Sequence, residues 1–591
     1  MSAVAERFVT SADGTRIAVY EENGTAGQAA PTIVLVHGWP DSHVLWDGVA
    51  PLLTGRFRVV RYDNRGVGNS DVPSDTAAYT MARFADDFAA VAASVSPQHP
   101  VHVLAHDWGS VGVWEYLGRP DAPSVVASFT SVSGPSARHL NRYIKDGLRR
   151  PYLPRRFARG AAQLARLSYM GAFSVPVLAP AAVRWAFSRG AMDRRLRRDG
   201  VDPQNIHHSP ALAADAARSM KVYRANYFRT LRQPRAEHGV TVPVQVIVNR
   251  RDPYVRPYAY DDIAKWVPRL WRRDLHAGHW APMSHPAQLA AAVGELVDHL
   301  QGAPAARTLA RARVGVSRPP FGDQLVSITG AGSGIGRATA LAFAERGAEI
   351  VVSDIDEDAA AETAAQISAA GGTAHAYRLD VADADAVERF AEQVCDTHGV
   401  PDILVNNAGV GHAGFFLDTP AANFDRVMDI NFGGVVNCCR AFAARMVDRG
   451  LGGHVVNVAS MAAYAPTQSM NAYATSKAAV FMFSDCLRAE LDSAGIGLTT
   501  VCPGVIDTNI VSTTQFDMPS AGDSAVEAMR AQIVKGFKLR RYGPEKVAKA
   551  IVAAVQNNTP VRPVTPEAYL VYGAAHALPQ VMRSTARVKL G

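Results

Sequence analysis

Residues 101–110, VHVLAHDWGS, read as a short β-strand that breaks into a tight turn and then into the helix SVGVWEYL. Ala105 and Gly109 stand two residues either side of Asp107. Small neighbours let a strained strand–turn–helix push its central side chain into a pocket. The turn therefore reads as a nucleophile elbow whose central group is a carboxylate. The N-terminus of the following helix keeps Asp107 ionised, and a carboxylate can attack an alkyl carbon to form an ester. Outward from the elbow, β-branched runs at 32–36 (TIVLV), 57–62 (FRVVRY), 101–104 (VHVL) and 242–248 (VPVQVIV) alternate with helical patterns from Arg7 to about Leu300. That alternation is the mark of an α/β fold.

Three further pieces stand where such an elbow needs them. HGWP (37–40) follows the first strong strand, where the backbone N–H of Trp39 can complete an oxyanion hole with that of Trp108. Asp252 ends the strand VQVIVNRRD, and His279 follows 27 residues later in AGHW, so the order is nucleophile, acid, histidine. His276 and His285 lack a preceding loop glycine and read as bystanders. Alone, a His-Gly pair or an Asp-Trp-Gly tripeptide is an ordinary turn. Their joint order on the right elements favours the triad.

HGWPDS (37–42), YDNRGVGNS (62–70) and HDWGS (106–110) resemble the epoxide-hydrolase branch of the α/β-hydrolases over roughly residues 7–300. The resemblance implies a helical cap inserted after the elbow, which matches segment 138–237, and two cap tyrosines that hold and protonate an epoxide oxygen. Tyr223 in VYRAN (222–226) and Tyr169, seven residues before Pro176 in YMGAFSVP, match those motifs. The plainer alternative for each is a helix residue with its hydroxyl at the surface. Ala105 and Ser110 depart from the family's usual glycines, which puts the elbow's shape in question. Haloalkane dehalogenases share the Asp/His/Asp chemistry and the tryptophan after the nucleophile but lack the tyrosine pair. A halide leaves as a stable anion, whereas an epoxide oxygen requires a proton, so the tyrosines favour the epoxide.

A second α/β alternation begins at Asp323 with LVSI (325–328), followed by TGAGSGIG (329–336) and a helix ending at Gly347. Glycines there permit close backbone approach, and the helix N-terminus receives pyrophosphate. Asp354 ends the strand EIVVSD 18 residues past Gly336, where a carboxylate can accept both ribose hydroxyls and repel a 2′-phosphate. The bland alternative is a surface aspartate closing a strand. Downstream come LDV (379–381), NNAG (406–409), Asn431, Ser460, and Tyr473 with Lys477 in YATSK. Tyr473 and Lys477, four apart, share a helix face. The ammonium is expected to lower the phenol pKa, so that Tyr473 exchanges a proton with an alcohol or carbonyl while Ser460 hydrogen-bonds the same oxygen. PGVIDT (503–508) supplies a turn suited to a nicotinamide.

Together these segments resemble the short-chain dehydrogenase/reductase family over about residues 323–591. The resemblance implies a catalytic tetrad of Asn431, Ser460, Tyr473 and Lys477. It also implies cofactor contacts from Gly330, Ser333, Gly334, Ile335 and Gly336, from Asp354, Asp380 and Val381, and from Asn407, Ala408 and Gly409. Pro503, Gly504, Ile506 and Thr508 complete that set, with Tyr473 and Lys477 serving twice. Asp354, with Ser333 in place of a basic residue in the glycine loop, implies NAD rather than NADP. Ala459 replaces a serine often found beside the catalytic one. The domain order resembles bifunctional actinobacterial proteins that fuse an epoxide hydrolase to a short-chain dehydrogenase.

The 591 residues, 48% hydrophobic and 19% charged, are ordinary globular material too long for one core. The expected organisation is a hydrolase at 1–300, a linker at 301–322 with Pro304, Pro319 and Pro320, and a dehydrogenase at 323–591. Five cysteines without ligand spacing indicate neither a disulfide framework nor a metal site and fit a cytoplasmic setting. No signal peptide is expected, and the nearly uncharged stretch 168–183 is closed by Arg184 before it could span a membrane. Segment 138–237 holds 21 Lys/Arg against 6 Asp/Glu, although the whole chain is only +7. A solvated arginine-rich surface explains this; peripheral contact with anionic lipid is the second reading. Nothing resembles a nucleic-acid module. The expected partners are a small-molecule or lipid-like substrate and a further copy through the dehydrogenase half. Rival readings make the first half a dehalogenase or esterase, or an idle lipid-binding module.

Overall fold

In the computed structural model the described residues are 5–22, 24–27, 29–175, 178–232, 239–508, 514–518, 527–528, 530–531 and 542–585. The chain divides into two compact units, Met1–Val316 and Ser317–Gly591.

The first unit is built on eight strands: β1 (Ala5–Thr10), β2 (Arg16–Glu21), β3 (Thr32–Val36), β4 (Arg58–Tyr62), β5 (Val101–His106), β6 (Val126–Val132), β7 (Val244–Asn249) and β8 (Leu270–Leu275). Their order in the sheet is β1-β2-β4-β3-β5-β6-β7-β8. The first two junctions are antiparallel and all the others parallel. β3, β5 and β7 are buried along their whole length, as strands covered on both faces must be.

β6 (VASFTSV) and β8 (LWRRDL) stood outside the predicted runs, because one is rich in hydroxyls and the other carries two arginines. Both are compensated inside. Ser128 bonds His102 at 2.7 Å. Buried Arg273 donates to Gln245 at 2.7 Å and to Glu295 at 2.5 Å, which replaces the water its guanidinium loses.

Between β6 and β7 the described residues hold helices from Ala137–Leu148 to Lys221–Arg232 and no strand. Of the expected cap segment 138–237, residues 176–177, Pro176 among them, and 233–237 lie outside the described residues.

The expected linker needs correction. Residues Arg307–Ala312 form a helix whose Leu309 and Ala312 are buried with Trp271 and Leu296. Val314 N–H donates to the carbonyl of Leu270 at 2.9 Å, which docks this segment on the β8 edge. Phe321 is buried in the second unit, edge-on to Phe343 at 4.9 Å. Only residues 315–320 lie between these two anchors. Leu309 and Ala312, three apart, are the helical signal that the surrounding arginines concealed.

The second unit has a seven-stranded parallel sheet in the order β11-β10-β9-β12-β14-β15-β17. Its strands are β9 (Leu325–Thr329), β10 (Glu349–Asp354), β11 (Thr373–Arg378), β12 (Ile403–Asn406), β14 (Gly453–Val458), β15 (Ile496–Cys502) and β17 (Val561–Pro563). A small pair, β13 (His412–Gly414) with β16 (Gln515–Asp517), lies outside it. Separate apolar clusters cover the two faces. Strand order reverses between β9 and β12, and the crevice beyond the carboxyl ends of such strands is where a doubly wound sheet binds its ligand. Among the described residues no helix is long and apolar enough to cross a membrane.

Candidate active sites

Asp107 has φ +47°, left-handed backbone that a non-glycine residue holds only when its surroundings impose it. The surroundings here are crowded. A Cβ on Gly109 would lie 2.2 Å from the His37 carbonyl oxygen, and one on Gly38 would lie 2.5 Å from the Asp107 Cβ. Ser110, where the family more often has glycine, fits because its hydroxyl donates to the Gly134 carbonyl at 2.6 Å.

The Asp107 carboxylate accepts the Trp39 N–H at 3.1 Å and is also hydrogen-bonded by the Trp108 N–H. The two amides expected to form an oxyanion hole therefore meet on one carboxylate. Burial pushes the Asp107 carboxyl above its ordinary range, against the opposing pull of His279 and these amides.

His279 directs Nδ1 to Asp252 at 3.0 Å and Nε2 toward Asp107 at 3.9 Å. Burial disfavours its cation, but Asp252, Asp107 and Asp199 overcome that and raise it to about 9. Burial also works against the Asp252 carboxylate, yet His279 and the N–H groups of Val255 and Tyr254 hold it below the usual range. His285 bonds Ser284 instead.

Above the elbow the cap contributes both tyrosines. Tyr169 and Tyr223 lie with ring centroids 5.9 Å apart and share a hydrogen bond, and Tyr223 also bonds the Trp108 side chain. Burial, reinforced by the Asp107 charge, pushes both phenols well above their ordinary value, so they stay protonated as donors. Trp39, Phe173 and Phe187 wall this space, with Trp39 4.8 Å from Phe187 and 5.0 Å from Tyr223.

Several site residues escaped sequence reasoning. Tyr254 packs edge-on to His279 at 4.8 Å. Asp41 accepts the Trp280 indole N–H at 3.1 Å, and burial raises its carboxyl to about 7. His106 meets the His279 carbonyl with Nε2 at 2.9 Å, and burial drives it down to about 3, so the neutral ring donates there. Of these, Asp41 lies within HGWPDS, His106 precedes the elbow aspartate, and Tyr254 stands two residues after Asp252. Phe173 follows Tyr169 by one helical turn. Phe187 carries no local signal.

In the second unit the glycine loop leaves β9 into the helix Gly334–Ala344. A Cβ on Gly336 would lie 2.0 Å from the Gly330 carbonyl oxygen, and one on Gly330 2.7 Å from the Ala408 Cα. Asn407 braces this turn, donating to the carbonyls of Thr329 and Gly330 at 3.0 and 2.9 Å. Asp354 accepts the Gly332 N–H at 2.8 Å, which places a carboxylate beside the loop. Thr508 stands against Gly334, where a Cβ would be 3.6 Å from its own. Val381 is buried, Ile506 is buried, and Asp380 caps its own turn through the Ala382 N–H at 3.0 Å. Loop, acid and turn thus make a cradle that suits a dinucleotide.

Asn431 sits in a π-helical turn, Asp429–Gly433, and bonds the Val410 N–H at 2.8 Å and Ser476 at 3.1 Å. Such bulges are frequent at functional sites. Ser460 hydrogen-bonds Tyr473. Lys477 donates to the Val458 carbonyl at 3.0 Å, with Nζ 5.9 Å from the Tyr473 ring centre, and burial lowers it to about 8.

Burial works against the lowering of the phenol expected from the ammonium. Burial raises Tyr473, and Ser460 is the group opposing it.

A model of the alpha/beta hydrolase fold matches residues 31–286, and a model of the short chain dehydrogenases matches residues 324–518. "Probable oxidoreductase EphD" of Mycobacterium tuberculosis (strain ATCC 25618 / H37Rv) is 63% identical over 587 residues, 99% of this chain and 98% of its own length. "C alpha-dehydrogenase" of Sphingobium sp. (strain NBRC 103272 / SYK-6) is 33% identical over 241 residues, 40% of this chain and 79% of its own. A solved short chain dehydrogenase/reductase from Burkholderia phymatum, in complex with NAD, covers 46% of this chain and 98% of its own at 28% identity and TM-score 0.41.

Proposed function

Because this chain belongs to the family of two-domain proteins that join an alpha/beta hydrolase domain to a short chain dehydrogenase domain, we propose that its first half opens epoxides to vicinal diols and its second half interconverts an alcohol and a carbonyl with NAD. The observation that carries the epoxide reading is the pair of buried phenols, Tyr169 and Tyr223, over Asp107. A leaving halide needs no proton, whereas the epoxide oxygen does.

The resting site holds Asp107 as carboxylate and His279 as cation. The Asp107 oxygen attacks an epoxide carbon, the carbon–oxygen bond breaks, and a tyrosine hydroxyl protonates the departing oxygen. Ester formation removes one of the negative charges that hold His279 near 9. Its proton is thereby released and restores the phenol. Neutral His279 then takes a proton from water, and the hydroxide attacks the ester carbonyl. The oxyanion forms where the Trp39 and Trp108 amides point. Collapse breaks the acyl bond to the substrate oxygen, which takes the proton left on the attacking hydroxide, so that the carboxylate, the cation and a diol result.

In the second half, Tyr473 exchanges a proton with the substrate oxygen and Ser460 holds that oxygen. A nicotinamide held in the cradle of the glycine loop and Asp354 would supply or accept the hydride. Asp354 beside the glycine loop favours ribose hydroxyls over a 2′-phosphate.

Single turnover of an epoxide in heavy-oxygen water tests the ester. Label is expected in the Asp107 carboxylate, with ester accumulating in His279→Gln. Label confined to the diol would mean direct attack by water. Halide released from chloroalkanes, with epoxides inert, would replace the reading with a dehalogenase.

Peripheral contact with an anionic lipid surface is our further reading, favoured by the cap helix Pro154–Arg166 and the residue before it. Leu153, Phe157 and Leu164 are exposed there beside Arg155, Arg159 and Arg166, the composition of a helix that rests on an anionic lipid surface. Co-sedimentation with phosphatidylglycerol vesicles, weakened in Phe157→Ser/Leu164→Ser, is the expected result. Equal recovery from vesicles lacking anionic lipid would sink it.

A further inference from the structure

Among the described residues, one cluster of metal-ligating side chains lies outside both candidate sites. Glu349 opens β10, His375 is on the neighbouring edge strand β11, and His398 ends the helix Ala384–His398. The register pairs Glu349 with Thr373 and Val351 with His375, so Glu349 and His375 are diagonal neighbours on one sheet face. Val351, Phe390 and Val394 share an apolar cluster, which places that face under the helix ending at His398. Three elements therefore deliver three ligands to one spot.

We propose that Glu349, His375 and His398 bind one divalent transition-metal ion, zinc by preference, at a structural site in the dehydrogenase unit. One ligand atom from each residue lies within 4.8 Å of the others. His375 Nε2 is 2.9 Å and His398 Nδ1 3.9 Å from the same Glu349 oxygen. Tetrahedral coordination with bonds of about 2.0–2.1 Å sets ligand atoms about 3.3 Å apart, so shifts of several tenths of an ångström to about 1.5 Å bring the three into register.

Outer contacts favour the same outcome. The Tyr377 hydroxyl lies 2.7 Å from His398 Nε2. When that nitrogen donates to the hydroxyl, the lone pair of His398 falls on Nδ1, toward Glu349, and such partners fix the tautomer of ligating histidines. The helix end contributes the negative pole of its dipole. The rings of His375 and His398 are stacked at 3.9 Å and 23°; they must splay to place both nitrogens on one ion, a rotation about χ2, a broad torsion in histidine.

Two imidazoles and one carboxylate suit zinc and leave a fourth position for water. The site's distance from the cofactor loop makes the role one of fastening rather than catalysis. Glu349 is the first residue of β10 and Asp354, beside the cofactor loop, the last, roughly 16 Å apart at strand rise. The ion would fasten edge strand β11 to β10 and to a helix end, and any ligand that binds only the folded state stabilises it.

The test is zinc titration of the tag-free full chain, stripped with chelator, in competition with a chromophoric chelator. One equivalent is expected. It should weaken about tenfold or more in Glu349→Gln and His375→Gln, and about tenfold in Tyr377→Phe, which keeps all three ligands. His375 is partly exposed, so its variant disturbs folding least. Thermal unfolding followed by circular dichroism should shift upward with zinc in the wild type and not in His375→Gln. No stoichiometric uptake, or unchanged affinity in Glu349→Gln and His375→Gln, overturns the site.

Discussion

Asp199, at the end of the cap helix Arg189–Asp199, accepts the backbone N–H of Trp280 at 2.8 Å. The contact ties the cap to the residue next to His279. A Cβ on Gly278 would fall 1.9 Å from the same carboxylate, so only glycine lets Asp199 come this close. The loop glycine that distinguished His279 in the sequence therefore serves a cap contact as well as a turn.

Asp199→Ala should leave the Trp280 N–H without this partner and loosen the histidine loop, lowering epoxide turnover about tenfold to a hundredfold. Asp199→Asn retains an acceptor and should lose less. Steady-state assays of both variants, with alcohol oxidation as an internal control, check this; equal turnover in wild type and Asp199→Ala would refute it.

The raised His279 makes stability depend on pH. Its folded-state value near 9 exceeds the ordinary 6.5. The stabilisation is thus fully present below about 6.5 and lost as pH rises through about 9, on the order of 3 kcal/mol in all. All 8 tryptophans lie in the first unit, so denaturant unfolding followed by tryptophan fluorescence reads that unit alone. The slope between pH 6.5 and 9 should flatten in His279→Gln. Identical slopes would show that the histidine carries no such charge in the folded state.

Asp354→Asn keeps an acceptor for the Gly332 N–H but removes the charge. The ratio of kcat/KM for NAD over NADP should fall by about tenfold or more, since like-charge opposition to the 2′-phosphate disappears. A wild type that favours NADP would reverse the assignment.

Limited proteolysis should cut at 301–306 and 315–320 and spare the helix Arg307–Ala312 between them. Leu309 and Ala312 are buried on one unit and Phe321 on the other, and exposed backbone is cut before packed backbone. N-terminal sequencing of the fragments locates the cut. Primary cleavage among Arg307–Ala312 would mean that helix is not held.

Much of both candidate sites was legible because their chemistry is written in short stretches. The elbow around Asp107, the glycine loop at 329–336 and the Tyr473–Lys477 helical turn each depend on neighbours a few residues away. Turn strain and helix spacing act at that range. β6 and β8 were not legible, since Ser128 and Arg273 become acceptable in a core only through partners 26 and 22 residues distant, His102 and Glu295.

The sequence by itself determined two α/β alternations, the order of Asp107, Asp252 and His279, and the order of Asn431, Ser460, Tyr473 and Lys477. Tertiary structure alone decided that Asp41, Asp199 and Tyr254 surround His279, that Trp39 and Phe187 wall the space below the cap tyrosines, and that burial raises Tyr473 while Lys477 turns to the Val458 carbonyl. The reason is physical. Local backbone geometry is set by adjacent residues, whereas desolvation and charge coupling depend on groups that the sheet gathers from distant parts of the chain.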